Sequence, residues 1–474
     1  MKVSEITRIR PSGRQINWQK MEFYGFIHFG MNTMTDREWG LGHESPALFN
    51  PGHLDTDQWA AVLKSAGMTG AILTCKHHDG FCLWPSRYSE YTVAHSPWKN
   101  GKGDVVGEFA TSCRKFGLKF GIYLSPWDRT ESSYGSGKKY DDFYIQQLTE
   151  LLTDYGEIFE VWLDGANGEG PNGRKQYYDW NRYYAVIRKL QPNAVISVCG
   201  PDVRWIGNEA GHTRPNEWSV VPEALKDVEK IIDKSQKKDD QRFARSFSSA
   251  DDDLGSRSAL QNYSGTLIWY PAEVNTSIRP GWFYHPSEDA AVKSARELFD
   301  LYKKSVGGNA TLLLNVPPNR WGLISAVDQQ QLKLLGGYIR KIKSSNYFVD
   351  GRLTFSSNPN QVGGRSILDL SDHRSYWKSA VNDTRPFIEV KMNRARTINT
   401  LILKEKIEIG QRIEQCVLFA AADGAWRQIA EVGSVGYQRI ISIAPIKAMK
   451  IRLEIPKYRE YPTLSGLSAL YLMP

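Results

Sequence analysis

No run of about 18 or more apolar residues occurs anywhere in the 474-residue chain, which leaves no candidate for a membrane-spanning helix. The opening stretch, Met1 to Gln19, is polar and lacks an apolar core, so no signal peptide is visible in it. Cysteine is scarce. The five present (Cys75, Cys82, Cys113, Cys199, Cys416) are odd in number and spaced neither as a disulfide framework nor as a zinc site, and they read as buried thiols. Long blocks of one charge are also missing. The formal net charge is +8, but basic residues interleave with acidic ones apart from short clusters such as Lys237-Lys238. That pattern describes a solvated surface, and nucleic acid is not an expected partner. With 41% hydrophobic and 24% charged residues the composition is that of an ordinary globular protein, and the length calls for two or three domains.

What the chain has in quantity is aromatic side chains with polar handles, 15 Trp and 23 Tyr. Such rings suit sugars, which offer C–H faces to stack on and hydroxyls to hydrogen-bond. Large cores use the same residues, so position along the chain must decide.

Strand-like and helical runs alternate over the first three-quarters. Apolar strand patterns occur at Phe23 to Gly30, Gly70 to Thr74, Lys119 to Leu124, Ile158 to Leu163, Ala194 to Cys199, Thr266 to Tyr270 and Thr311 to Asn315. Helical spacing lies between them, at Thr56 to Ala66, Asp104 to Phe116, Asp141 to Tyr155, Lys175 to Leu190 and Ser287 to Ser305. This order predicts a parallel sheet closed into a (β/α)8-like barrel. Lys234 to Arg257, charged and Ser-rich, reads as a surface insertion or a mobile loop. A helix from Val327 to Ile342 closes the first domain, 1–343. Beyond it the texture changes to short β-type runs (Phe387 to Met392, Thr400 to Leu403, Gln415 to Ala420, Arg439 to Ile443, Met449 to Ile455, Ala469 to Leu472). Residues 344–474 are expected to form a β-sandwich.

The stretch Glu160-Val161-Trp162-Leu163-Asp164-Gly165 organises the site. Asp164 falls at the C-terminal end of a buried strand, where a barrel carboxylate points into the active-site mouth. A strand-end Asp also commonly caps a helix or starts a turn. Other strand ends collect polar and aromatic residues too: His28 with Glu38 and Trp39, then His77 and His78, then Tyr123 and Trp127, then Trp162. Two adjacent His plus an Asp could ligate a metal in a barrel hydrolase. Adjacent strand residues point to opposite faces, however, and no second His or Cys cluster has ligand spacing, so neither a metal nor another cofactor is expected. Either imidazole could equally be a satisfied core residue.

Cleaving a glycosidic bond usually takes two carboxyl groups, one to attack or activate water and one to protonate the leaving oxygen. Asp164 is the first. For the second, Asp202, Glu209 and Glu217 all follow the fifth strand, and spacing alone does not choose among them.

Together, Phe26-Ile27-His28-Phe29-Gly30, His77-His78-Asp79-Gly80-Phe81 with Trp84, and Trp162-Leu163-Asp164-Gly165 resemble the α-L-fucosidases of glycoside hydrolase family 29 over roughly residues 17 to 340. The resemblance implies a retaining mechanism with Asp164 as nucleophile, and a fucose pocket lined by His28, Glu38, Trp39, His77, His78, Tyr123 and Trp162. It also implies that Trp282 packs on the sugar's methyl side. Trp162 to Gly168 followed by Gly207-Asn208-Glu209 is similar to the branch selective for α-1,3/1,4-linked fucose, which makes Glu209 the acid/base rather than Glu217. The implied partners are fucosylated oligosaccharides or glycoconjugates, and the implied compartment is periplasmic or extracellular. The oligomeric state is left open. Trp377, Gly410-Gln411-Arg412-Ile413 and Pro462-Thr463-Leu464-Ser465 resemble a discoidin-like (coagulation factor 5/8 type C) module. Some such modules bind carbohydrate and others buttress a barrel.

Three alternatives remain at the level of sequence. They are a hydrolase of a related sugar such as α-L-galactose, decided near Trp282, a metal-dependent barrel hydrolase, and a non-catalytic carbohydrate-binding protein on the same scaffold. The last has no need of both Asp164 and Glu209.

Overall fold

The computed structural model describes residues 3–234, 254–362, 366–371, 374–422 and 424–473. Among the described residues, ten strands occupy the N-terminal part: β1 (Phe23–Ile27), β2 (Gly70–Lys76), β3 (Lys119–Leu124), β4 (Ile158–Leu163), β5 (Val195–Val198), β6 (Arg204–Trp205), β7 (Val220–Pro222), β8 (Leu267–Trp269), β9 (Ala272–Ser277) and β10 (Ala310–Asn315). Eight of them form one parallel sheet in the order β5-β4-β3-β2-β1-β10-β9-β6. β5 and β6 are the two ends of that order, and a single parallel bridge between Ser197 and Val203 spans the gap, so the sheet is a nearly closed barrel. β1, β2, β4, β5, β9 and β10 are buried along their whole length, and all of these but β9 read as nearly continuous apolar runs for that reason.

Helices pack outside the ring, and their starts are chemically marked. Asp55, Asp104 and Asp179 each accept an amide of the first turn of the helices Thr56–Ser65, Val105–Phe116 and Trp180–Leu190. Such caps contribute about 1 kcal/mol apiece. The link from β5 to β6 is the exception, with no helix between them. A short helix from before the barrel, Gly13–Gln19, lies against this region. Its Gln15 Nε2 donates to the carbonyls of Asp202 and Trp269 at 2.8 and 2.9 Å, and Trp18 Nε1 donates to Glu160 Oε2 at 2.9 Å.

Several expectations need correction. The strand expected at Thr266 to Tyr270 exists as β8, but it pairs antiparallel with β7 outside the ring. The barrel strand is β9, Ala-Glu-Val-Asn-Thr-Ser, which has too little apolar patterning to stand out in the sequence. Its polar side chains are used inside: Glu273, Asn275 and Ser277 reach Trp162, Trp205 and Asn315. The helix expected from Lys175 begins at Trp180, because Gln176 is buried in hydrogen bonds to the Gly135 and Gly137 amides. The helix expected over Ser287 to Ser305 is a 3-10 turn, Pro286–Ala291, followed by a helix Ala295–Ser305 that starts on a Ser294/Glu297 capping box. Of the stretch read as a surface insertion, residues 235–253 lie outside the described residues.

The C-terminal part is antiparallel: β11 (Arg352–Phe355), β12 (Trp377–Lys378), β13 (Phe387–Lys404), β14 (Ile413–Ala421), β15 (Arg427–Val432), β16 (Arg439–Tyr458), β17 (Thr463–Leu464) and β18 (Gly466–Leu470). The main sheet runs β11-β13-β16-β14-β15, with β18 also on β13. Four of the short runs expected here merge into two long strands. Phe387 to Met392 and Thr400 to Leu403 are the ends of β13, and Arg439 to Ile443 and Met449 to Ile455 belong to β16. Between the apolar ends the ladder continues through irregularities, at Lys391/Arg396 and Ile398/Thr400, in a charged and exposed stretch. Among the described residues, no helix is long and apolar enough to cross a membrane.

Candidate active site

At the C-terminal ends of the barrel strands lies a cavity of about 650 Å³. It is lined by His28, Glu38, Trp39, His77, His78, Tyr123, Trp162, Asp164, Glu209 and Trp282, together with Phe26, Ala166, Val198, Trp205 and Asn275. The lining mixes rings with a few convergent polar groups, as small-ligand sites do.

Asp164 follows directly on β4. Its Oδ2 accepts the Tyr123 hydroxyl at 2.8 Å and its Oδ1 accepts the Ala166 amide at 2.7 Å. Burial, then the adjacent Asp164 charge, push the Tyr123 phenol well above its usual range, so it stays a donor. Each Asp164 oxygen keeps a lone pair beyond these bonds, and the carboxylate is held in one orientation.

The histidines are held neutral. Burial lowers His78 to about 4, against the opposing pull of Asp164. Ser125 donates its hydroxyl hydrogen to the Trp127 carbonyl at 2.6 Å, so it accepts from His78 Nδ1 at 2.7 Å. His78 Nε2 is then a lone-pair acceptor, 3.8 Å from Asp164 Oδ2. His28 is arranged in the same way. Asn315 donates to Ser277 Oγ and to the Trp282 carbonyl at 2.9 and 2.7 Å, and its Oδ1 therefore receives His28 Nδ1 at 2.8 Å. Burial lowers His28 to about 3. His77 is lowered well below the usual range, by burial first and then by His78 and His28, and its Nδ1 has no protein partner. β2 ends at Lys76, so the alternation of faces along a strand does not govern His77 and His78. Both rings line the cavity, their centroids 4.1 Å apart.

Glu38 reaches the cavity wall, but its carboxylate is spent on the Trp282 segment. Oε2 accepts the Trp282 amide at 3.0 Å, and Oε1 accepts the Phe283 amide at 3.2 Å and His285 Nε2 at 2.9 Å. Trp282 is thereby fixed beside His28, with ring centroids 5.1 Å apart. Trp39 stands edge-on to both His78 and Trp127. Trp162 hangs from the barrel interior, its Nε1 donating to Glu273 Oε1 at 2.7 Å.

The three acidic candidates for the second carboxyl part company here. Asp202 is buried in ion pairs with Arg188 and Arg14 and accepts the Ile196 amide at 2.8 Å. Glu217 is 1% exposed and held by Arg204 and Arg214. Only Glu209 of the three lines the cavity.

Trp205 and Asn275, hydrogen-bonded to each other at 2.9 Å, line the cavity but were not singled out from the sequence. For Asn275 the signal was there in principle, since polar residues at every second position of a strand inside a β/α repeat face the barrel interior. Among the described residues, no group of three His, Cys, Asp or Glu side chains could hold a metal ion.

The family model for α-L-fucosidase matches residues 13–343, and the model for the F5/8 type C domain matches residues 352–467. Alpha-L-fucosidase 1 of Arabidopsis thaliana is 40% identical over 470 residues, covering 98% of this chain and 87% of that protein. A crystal structure of a putative α-L-fucosidase from Bacteroides ovatus superposes with a TM-score of 0.85 at 43% identity, covering 100% of this chain and 76% of the other. A Ruminococcus gnavus fucosidase of glycoside hydrolase family 29, solved in complex with fucose, is 28% identical with a TM-score of 0.84, covering 98% of this chain and 95% of that one. An aromatic cavity at the barrel mouth, a fixed strand-end carboxylate and matches of this length lead to one conclusion: the chain belongs to the α-L-fucosidase family and is a glycosidase of that activity.

Proposed function

We propose that the enzyme is a retaining exo-α-L-fucosidase that releases terminal α-1,3/1,4-linked L-fucose through a covalent glycosyl-enzyme intermediate. Asp164 is the nucleophile and Glu209 the acid/base. The observation that carries this reading is the cavity shared by Asp164 and Glu209, while Asp202 and Glu217 are tied to arginines outside it. The Ruminococcus gnavus relative, solved with fucose, supports fucose as the sugar.

In the first step an Asp164 oxygen bonds to C1 and the C1–O bond breaks. The electron pair stays on the aglycone oxygen, which takes the Glu209 proton. Water then gives a proton to Glu209 and attacks C1, displacing Asp164. Tyr123 holds Asp164 in line and stabilises its charge. His28 and His78, neutral with outward lone pairs, accept hydroxyl protons of the sugar. At 3.8 Å, the His78 acceptor and the Asp164 carboxylate leave room for a donor between them, which a sugar hydroxyl supplies. Trp282 packs against the methyl side.

The preference for branched α-1,3/1,4 linkages rests on likeness of the Trp162 to Gly168 and Gly207 to Glu209 segments to that branch of the family. The domain division is proposed at 343/344, within the last turns of the helix Ala326–Ser344.

Two measurements test the reading. Asp164→Ala is expected to lose several orders of magnitude in turnover, with azide restoring cleavage of an activated aryl fucoside. Near-normal turnover would remove the assignment. A panel of Lewis-type trisaccharides, 2'-fucosyllactose and an aryl fucoside should show the branched sugars released much faster, and equal rates on α-1,2 and α-1,3/1,4 linkages would refute the linkage preference.

A further inference from the structure

The segment that carries Glu209 is an arch with both feet tied, and one foot stands on the C-terminal sandwich. It leaves the barrel at Arg204-Trp205, passes Glu209, and returns at Glu217. The Glu217 carboxylate reaches back to Arg204, closing the arch on itself, with Arg214 as second cation at 3.4 Å. Arg214 also donates to the Ile206 carbonyl at 3.5 Å, from inside the arch.

The Glu217 foot is gripped through its backbone. Its carbonyl oxygen accepts from Gln411 Nε2 at 3.3 Å and Ser434 Oγ at 3.2 Å, both on the sandwich, and from Asn309 Nδ2 at 2.9 Å beside β10. Gln411 Oε1 in turn accepts the Ser219 amide at 2.9 Å, so one buried side chain brackets the foot on both sides. The preceding residues are held from the same domain. Asn216 Oδ1 accepts the Ser434 amide at 3.2 Å, and Arg439 donates to the Pro215 carbonyl at 2.8 Å. At Gly433 a Cβ would meet Asn216 Oδ1 at 1.8 Å, so a side chain there would push the Asn216 amide off the Ser434 amide it accepts.

A side chain on an arch is only as well placed as the arch's supports, and a proton donor displaced by about 1 Å can lose two orders of magnitude in rate. We infer that the C-terminal β-sandwich positions the acid/base loop, with Gln411 and Ser434 as positioning residues acting through the Glu217 backbone. The inference rests on the proposal that Glu209 protonates the leaving oxygen. It gives the sandwich a part in the reaction that is separate from any sugar binding of its own.

The test uses the full chain. Ser434→Ala and the double variant Gln411→Ala/Ser434→Ala are compared with wild type by kcat/KM on two substrates. One is a Lewis-type trisaccharide, whose leaving group needs a proton, and the other an aryl fucoside whose leaving group does not. The expected result is a loss of about tenfold or more on the trisaccharide, with a much smaller loss on the aryl fucoside. Glu209→Gln is measured alongside and should show the same selectivity in stronger form. An equal fall on both substrates, or no fall in the double variant, overturns the inference while leaving Glu209 its role. If Glu209→Gln itself shows no selectivity, the acid/base assignment fails and the inference goes with it. Should the double variant not fold, the Ser434→Ala ratio decides.

Discussion

His285 and Glu38 form a charge pair behind the active-site wall, with His285 Nε2 at 2.9 Å from Glu38 Oε1. Asp36 faces the other ring nitrogen at 2.7 Å. The bond to Glu38 is the main cause holding His285 protonated up to about 9, against burial and with the help of Asp36. A raised folded-state value means that the stabilisation is complete below about 6.5 and fades as pH rises through about 9. The melting temperature of the wild type should therefore fall between pH 7 and 9 more steeply than that of His285→Gln. Parallel curves for the two proteins would show that the pair is not linked to folding. Because Glu38 also holds the Trp282 and Phe283 amides, His285→Gln should raise KM more than it lowers kcat.

Tyr123→Phe removes the one hydroxyl donated to Asp164 Oδ2. Loss of a buried donor to a reacting carboxylate is expected to lower kcat by about a hundredfold with little change in KM. A kcat close to that of the wild type would mean that Tyr123 only shapes the pocket.

Gly281→Ala tests how tightly the Trp282 segment is seated. A Cβ there would meet Glu38 Oε1 at 2.1 Å, and that oxygen is already fixed by two donors. The variant should fold with a reduced melting temperature and a KM raised about tenfold or more, since Trp282 loses its anchor. An unchanged KM would detach Trp282 from substrate binding.

Below the site, Glu160 and Glu273 are both 0% exposed and face one another. Burial, then the Glu273 charge, push Glu160 well above the usual carboxylate range, so it stays protonated and donates to Glu273. Glu273 also accepts from Trp162 and Tyr24. Glu160→Gln keeps a neutral donor and should change stability by less than about 1 kcal/mol, whereas Glu273→Ala strands three buried donors and should cost about 3 kcal/mol or more. Urea denaturation separates these outcomes, and equal losses would mean that no proton is shared between the two.

Most of the barrel was legible because its strands are apolar on both faces and its helices carry Asp and Ser caps. The illegible parts share a physical cause, which is polarity enlisted by the interior. β9 looks like a loop in sequence because Glu273, Asn275 and Ser277 are polar, and they are polar because Trp162, Trp205 and Asn315 need partners. Thr266 to Tyr270 looks more like a barrel strand, and its apolar residues instead cover a small sheet outside the ring. At the site, the ten residues drawn from strand ends and family likeness share one cavity. Trp205 was not foreseen, because its two-residue strand is too short to show any periodicity. The role of Glu38 was only half legible. Its place at the wall followed from likeness, but its engagement with two amides and His285 depends on a segment some 245 residues away.

The helix Gly13–Gln19 and β1 are made before the other barrel strands and completed only after most of them. Gln15 waits for Trp269, 254 residues downstream, and β1 lies bare on one edge until β10 ends at Asn315. At about 5–20 residues per second, a ribosome keeps that edge waiting roughly a quarter of a minute to a minute. The growing chain therefore carries an open strand through most of the synthesis of its barrel, and it is at this stage, more than in the finished enzyme, that the protein is open to mispairing.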